Sequence, residues 1–143
     1  MRQSLIMLVD DEKPFVETMT KRLAKRELDV IPAFSGLEAL EILEQNRNID
    51  VLILDVKMPG MDGIETLRRL KRNHPLVEVI MLTGHATVET SIEGMRLGAF
   101  DYLMKPCDMD VLMEKVNSAT QKKRDHEEKI REARVSAILK ART

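Results

Sequence analysis

The chain is poor in the residues that mark several common classes of protein. Among 143 residues there is one cysteine, Cys107, one tyrosine, Tyr102, and no tryptophan. A single thiol excludes a disulfide framework and a thiolate metal cluster. Aromatics at 3% leave too few rings for the stacking surfaces that hold single-stranded nucleic acid. No apolar run approaches the ~18 residues of a membrane span. Only the five-residue apolar run Leu5 to Val9 stands before Asp10, too short for the core of a signal peptide. These absences lead us to expect a cytoplasmic protein. An excess of one charge is also missing, since 23 Lys and Arg oppose 24 Asp and Glu. That balance excludes a globally basic nucleic-acid binder and a disordered acidic chain. Glycine and proline do not occur beyond Pro106. From residue 121 onward, eight basic residues face four acidic ones, whereas residues 1–120 carry an acidic excess of five. The shift divides the chain into a compact domain, 1–120, and a helical extension, 121–143.

The hydrophobic pattern alternates between two periods. Leu5 to Val9, Leu28 to Ala33, Val51 to Leu54, Val77 to Leu82 and Phe100 to Met104 read as strands, the first, third and fourth as near-continuous apolar runs. Such runs suit strands covered on both faces. Between them, spacings such as Val16-Met19-Leu23, Leu37-Leu40-Leu43 and Ile64-Leu67-Leu70 read as helices. A last helix starts near Asp108, an N-cap candidate, and is long enough, from Met109 to about Lys140, to span ~48 Å. Five alternating pairs predict an α/β fold: a doubly wound five-stranded parallel sheet, flavodoxin-like order 2-1-3-4-5, with an extended C-terminal helix.

Ligands of such sheets bind at the carboxyl ends of the strands. The first strand runs into Asp10-Asp11-Glu12, the third ends on Asp55, the fourth on Thr83-Gly84-His85 and the fifth on Lys105-Pro106. Taken singly, each is an ordinary turn, cap or loop start. The predicted strand order brings all four to one crevice. A carboxylate cluster without clustered His or Cys suits a hard divalent ion such as Mg²⁺. Lys105 and Thr83, with backbone N–H groups at a helix start, suit a phosphate.

These pieces closely resemble the receiver domain of bacterial two-component response regulators, over residues 4 to about 120. The segments that carry the resemblance are Leu8-Val9-Asp10-Asp11-Glu12, Ile53-Leu54-Asp55-Val56-Lys57-Met58-Pro59-Gly60, Leu82-Thr83-Gly84-His85-Ala86 and Phe100-Asp101-Tyr102-Leu103-Met104-Lys105-Pro106. The resemblance implies that Asp55 accepts a phosphoryl group from a sensor histidine kinase or phosphotransfer protein. It implies Mg²⁺ held by Asp10, Asp11, Asp55 and the backbone carbonyl of Lys57. Lys105 would contact the phosphoryl group and precede a cis bond to Pro106; Thr83 and Tyr102 would switch with phosphorylation. Lys57 and His85 occupy positions that tune hydrolysis in the family. A member of this kind assists its own phosphorylation and dephosphorylation and is not a turnover enzyme. The alternative is a phosphorylation-independent docking or dimerisation module of the same fold.

The Leu82-Thr83-Gly84-His85 signature and the long helix are similar to receivers of enhancer-binding transcription activators. We expect no direct contact with nucleic acid or membrane. A homodimer could form through the C-terminal helix or through the face of the fourth helix, fifth strand and fifth helix. The helical seam Leu112-Val116-Ala119 continues to Ile130-Ala133-Ala137, but Lys123 and His126 interrupt it, which weakens a coiled coil. Cutting after Ala119 is expected to leave phosphorylation intact. Of the remaining residues, Asp62 reads as a cap, Gly63 as a tight-turn residue, His74 and His126 as solvated, and Cys107 as a small apolar filler.

Overall fold

A computed structural model describes residues 3–142. Its elements in chain order are β1 (Leu5–Val9), α1 (Lys13–Ala24), β2 (Asp29–Ala33), α2 (Gly36–Gln45), β3 (Val51–Leu54), α3 (Gly63–Asn73), β4 (Glu78–Thr83), α4 (Val88–Arg96), β5 (Asp101–Met104) and α5 (Met109–Ala141). The sheet is parallel throughout, in the order β2-β1-β3-β4-β5. Both expectations of the fold hold, down to the elongated last helix of 33 residues.

Alternation along the strands feeds two cores. Met7, Val9, Leu52, Leu54, Val79 and Met81 point to one face, where they pack with Leu43, Leu67 and Leu70 of α2 and α3. Ile6, Leu8, Val51, Ile53, Ile80 and Leu82 point to the other, against Val16 and Leu23 of α1 and Leu112, Val116 and Ala119 of α5. A period of two therefore explains why these strands carry no polar alternation: each face has its own helical layer. Pro32 lies within β2, opposite Leu8. It is tolerated there because β2 is an edge strand, where one row of backbone donors has no ladder partner to lose.

Local chemistry sets the helix starts. Ser35, Asp62, Thr87 and Asp108 each accept a backbone N–H of the first turn that follows, the satisfaction that N-caps provide. Asp62 is thus the cap the sequence suggests. Gly63 differs in its reason. It is not needed for an unusual φ; a Cβ placed there would lie 2.0 Å from the carbonyl oxygen of Asp55. The start of α3 rests directly on the end of β3, with Gly63 N–H donating to the Val56 carbonyl at 2.7 Å.

The lower, amino-terminal end of the sheet is closed by charge. Asp50 just before β3 and Glu78 at the start of β4 are buried. Lys123 Nζ lies 3.2 Å and Arg124 3.3 Å from the Asp50 carboxylate, which also accepts the Leu5 N–H at 3.0 Å. Lys71 and Lys122 meet Glu78 at 3.0 and 3.1 Å. Lys123 is therefore not a blemish in a coiled-coil seam: it is turned inward, 2% exposed, as an ion-pair partner. The contribution of α5 to the domain therefore continues past Ala119, because Lys123 and Arg124 neutralise a buried acid. Beyond them α5 leaves the domain, and Ile130, Val135, Ile138 and Leu139 are exposed. Among the described residues no helix is long and apolar enough to cross a membrane.

Candidate functional site

At the upper, carboxyl-terminal end of the sheet, β1 and β3 are neighbours and end in step, Val9 opposite Leu54. The next residue of each is an aspartate, and both are held by the ladder: Asp10 N–H donates to Ala33 and Asp55 N–H to Val9, each at 3.0 Å. The strands therefore deliver Asp10 and Asp55 side by side, 1% and 2% exposed. Asp11 joins them, and one carboxylate oxygen from each of the three lies within 4.8 Å of the others. Asp55 Oδ1 accepts its neighbour Val56 N–H at 2.8 Å, which holds the carboxylate in one orientation.

Lys105 enters from β5. Its N–H donates to the Thr83 carbonyl at 2.9 Å, and its bond to Pro106 is cis. Its ammonium lies 2.6 Å from Asp10 Oδ2, 3.5 Å from Glu12 and 3.9 Å from Asp55 Oδ2. The Phe15 ring beneath it, 3.9 Å from the ammonium to the centroid, gives a cation–π contact. Phe15 is a site residue that the sequence reading did not single out.

Lys105 is thus shared by three carboxylates, Asp10, Glu12 and Asp55, with Asp11 beside them. Burial pushes the Asp10 carboxyl above the ordinary range, and the Asp55 charge adds to the rise, against the lowering bonds from Lys105 and the Glu12 N–H. Burial alone would make Lys105 easier to deprotonate, but Asp10, Asp55 and Glu12 outweigh it and hold the ammonium charged more firmly than usual. Such a site is short of positive charge. Its donor set, all oxygen and carboxylate-rich, fits a hard divalent cation better than Zn²⁺.

The other predicted residues fall around it. Thr83 is buried at the end of β4, and its Oγ1 accepts the His85 N–H at 3.0 Å. Lys57 and His85 line an open cleft beside Asp11 and Glu12. Tyr102 stands apart from the acids, its phenol 2.7 Å from Thr90 Oγ1 on α4. The solvated reading of His74 needs revising. The His74 side chain is nearly buried, bonded to Glu44 at 3.0 Å and facing Arg47 at 3.3 Å. Cys107 is half-buried and packs against the core shared with α1 and α5, as a small apolar filler does; burial and Asp108 push its thiol up, away from the thiolate form that reacts.

The model of the response regulator receiver domain matches residues 6–117. The chain belongs to the response regulator receiver domains. Several solved structures that it resembles are receiver domains. It is 36% identical to the DNA-binding transcriptional regulator NtrC of Escherichia coli (strain K12) over 110 residues, 77% of this chain and 23% of that one. It is also 36% identical to the regulatory protein AtoC of the same strain over 116 residues, 81% of this chain and 25% of that one. The chain therefore spans about a quarter of the length of these relatives. A response regulator receiver domain protein from Clostridium thermocellum superposes with a TM-score of 0.81 at 36% identity, covering 85% of this chain and 97% of that one. The acidic cluster of Asp10, Asp11 and Asp55 in this receiver domain is able to hold a metal.

Proposed function

We propose that this receiver accepts a phosphoryl group on Asp55 from the phosphohistidine of a sensor kinase or phosphotransfer protein, in a Mg²⁺-dependent reaction, and thereby changes a protein-binding face. The observation that carries the reading is the charge deficit at the strand ends: Asp10, Asp11 and Asp55 converge, and among the described residues Lys105 is the cation paired with Asp10 and Asp55. An assembly kept so acidic is suited to receiving a cation together with an anionic ligand.

Asp10, Asp11 and Asp55 would hold Mg²⁺, with the Lys57 carbonyl that the family resemblance adds. When bound, the ion would neutralise the carboxylates and the incoming phosphoryl oxygens. The chain's own part is positioning. The Val56 N–H fixes one Asp55 oxygen and leaves Oδ2 facing Lys105. That oxygen forms the new O–P bond as the N–P bond to imidazole breaks, and a proton returns to the departing ring. Lys105 exchanges its Asp10 contact for a phosphoryl oxygen. Water later attacks phosphorus, releases inorganic phosphate and restores Asp55; Lys57 and His85 beside the cleft are placed to affect its access. The group consumed is the chain's own Asp55 phosphate, so the protein is a self-assisted phosphoacceptor rather than a turnover enzyme. Thr83 and Tyr102 are the switch residues. We place the protein in the cytoplasm, and propose a homodimer through the exposed end of α5.

The test is intact mass after incubation with acetyl phosphate and Mg²⁺, beside Asp55→Asn and an EDTA control. A single phosphoryl gain, lost in both controls, supports the assignment. A gain on Asp55→Asn overturns it. Failure of both acetyl phosphate and beryllofluoride to modify the wild type would favour the phosphorylation-independent docking module. Lys105→Ala should keep the fold and uncouple phosphorylation from the switch.

A further inference from the structure

Tyr102 is held by a contact that lies outside the phosphoacceptor site. Its ring passes over Gly94 of α4, where a Cβ would lie 3.5 Å from Tyr102 Cδ2. One turn earlier on the same helix, Thr90 Oγ1 meets the phenol oxygen at 2.7 Å. The same hydroxyl belongs to the start of α4. Thr87 caps the helix by accepting the Thr90 N–H at 3.0 Å, and Thr90 Oγ1 returns to the Thr87 N–H at 3.2 Å, the reciprocal pairing of a capping box.

Thr90 Oγ1 is over-subscribed. Besides Tyr102 and the Thr87 N–H, it has the Thr87 hydroxyl at 2.9 Å and the Thr87 carbonyl at 3.2 Å. A hydroxyl has one proton and two lone pairs, so it can satisfy three of these four neighbours at once. If the phenol departs, the remaining three still satisfy Thr90, and no buried group is orphaned. If the phenol stays, it competes with the cap. A contact with this property holds Tyr102 in place yet releases it at little cost, as a two-position element requires.

We infer that Thr90 is a positioning residue for the switch: its hydroxyl docks the Tyr102 phenol onto α4. The inference rests on the receiver reading above for the meaning of the switch, but the docking itself is a property of the unmodified chain. Tyr102 acts here through contact with Thr90 and Gly94, so both the ring's seat and the hydroxyl's anchor come from one helix face.

The sequence supplies its own probe, since Tyr102 is the sole tyrosine and there is no tryptophan. Tyrosine emission of the full chain should be compared for wild type, Thr90→Val, Thr90→Ser and Thr87→Ala, with and without beryllofluoride and Mg²⁺. The expected result is a shifted resting emission in Thr90→Val, restored to the wild-type value in Thr90→Ser, with Thr87→Ala close to wild type. Addition of beryllofluoride should change the wild-type emission, and Thr90→Val should lose most of that change because its dock is already empty. Wild-type emission in Thr90→Val, in both states, overturns the inference. So does an equal shift in Thr87→Ala, which would trace the effect to the cap alone. If the resting shift appears but wild type ignores beryllofluoride, docking stands and the phosphoryl-switch reading falls. Circular dichroism of each variant verifies that α4 and the sheet remain folded.

Discussion

Strand β3 begins after one buried aspartate and ends on another, and the two have opposite surroundings. Asp50, below the sheet, is fully buried and has Lys123 and Arg124 within 3.3 Å. Asp55, above it, is buried to the same degree, yet its nearest ammonium is 3.9 Å away and already committed to Asp10 at 2.6 Å. Glu78 below repeats the pattern of Asp50 with two lysines, while above the one Lys105 ammonium is divided among Asp10, Glu12 and Asp55. Burial therefore does not separate a structural acid from a functional one in this molecule; the local charge balance does. Paired acids close the fold. Crowded acids with too few cations are strained against one another, which is a ready state for binding a cation and a phosphoryl group.

The contrast breaks most sharply on removing one partner below. Asp50→Ala leaves Lys123 charged in a buried place and should cost about 3–5 kcal/mol of stability in urea unfolding. Asp55→Asn, at equal depth, should leave stability unchanged or higher while abolishing phosphorylation. If the two variants lose stability equally, the distinction between the ends is wrong. Cutting the chain after Ala119 removes both cations of Asp50 and should cost a similar ~3 kcal/mol. Cutting after Glu128 keeps them and should leave the unfolding midpoint in place.

Gly63→Ala disturbs the upper end through sterics rather than charge. Its Cβ collides with the Asp55 carbonyl, so a loss of about 1–3 kcal/mol is expected, with slower phosphorylation of Asp55 by acetyl phosphate. An unaltered rate would show that β3 and α3 can part without moving the acceptor.

The smallest effect is electrostatic and has a definite sign. Asp10 binds its proton more tightly folded than unfolded, so its ionisation works against the fold. With EDTA present, stability should fall as pH rises from about 4, the unfolded aspartate pKa, through the elevated folded one. Asp10→Asn should remove that slope and raise stability at neutral pH. Mg²⁺ should flatten the slope in wild type and do nothing for the variant. A rise in stability over the same pH range would mean that Lys105 fully compensates Asp10.

Much of this was legible before any coordinates. Leu5–Val9 and Val51–Leu54 announce buried strands because each face has its own helical layer, and a parallel doubly wound sheet then places whatever follows those strands in one crevice. Asp10, Asp55 and Lys105 are readable for that reason, and the long α5 because nothing after Pro106 breaks a helix. Lys123 was misread because its inward turn depends on Asp50, 73 residues away in sequence. Gly63 was assigned a turn because its true constraint, a backbone carbonyl across the β3–α3 junction, is not a local property. His74 seemed solvated because Glu44 and Arg47 reach it from α2 and the loop beyond. Sequence periodicity alone determined the order of elements and the edge where chemistry gathers, since these follow from local hydrophobic spacing and the handedness of parallel crossovers. Tertiary structure alone decided which buried acids are neutralised, which hydroxyl holds Tyr102 and where α5 leaves the domain. Those outcomes depend on contacts between elements far apart in the chain, and ångström distances there set whether a charge is paired or left in deficit.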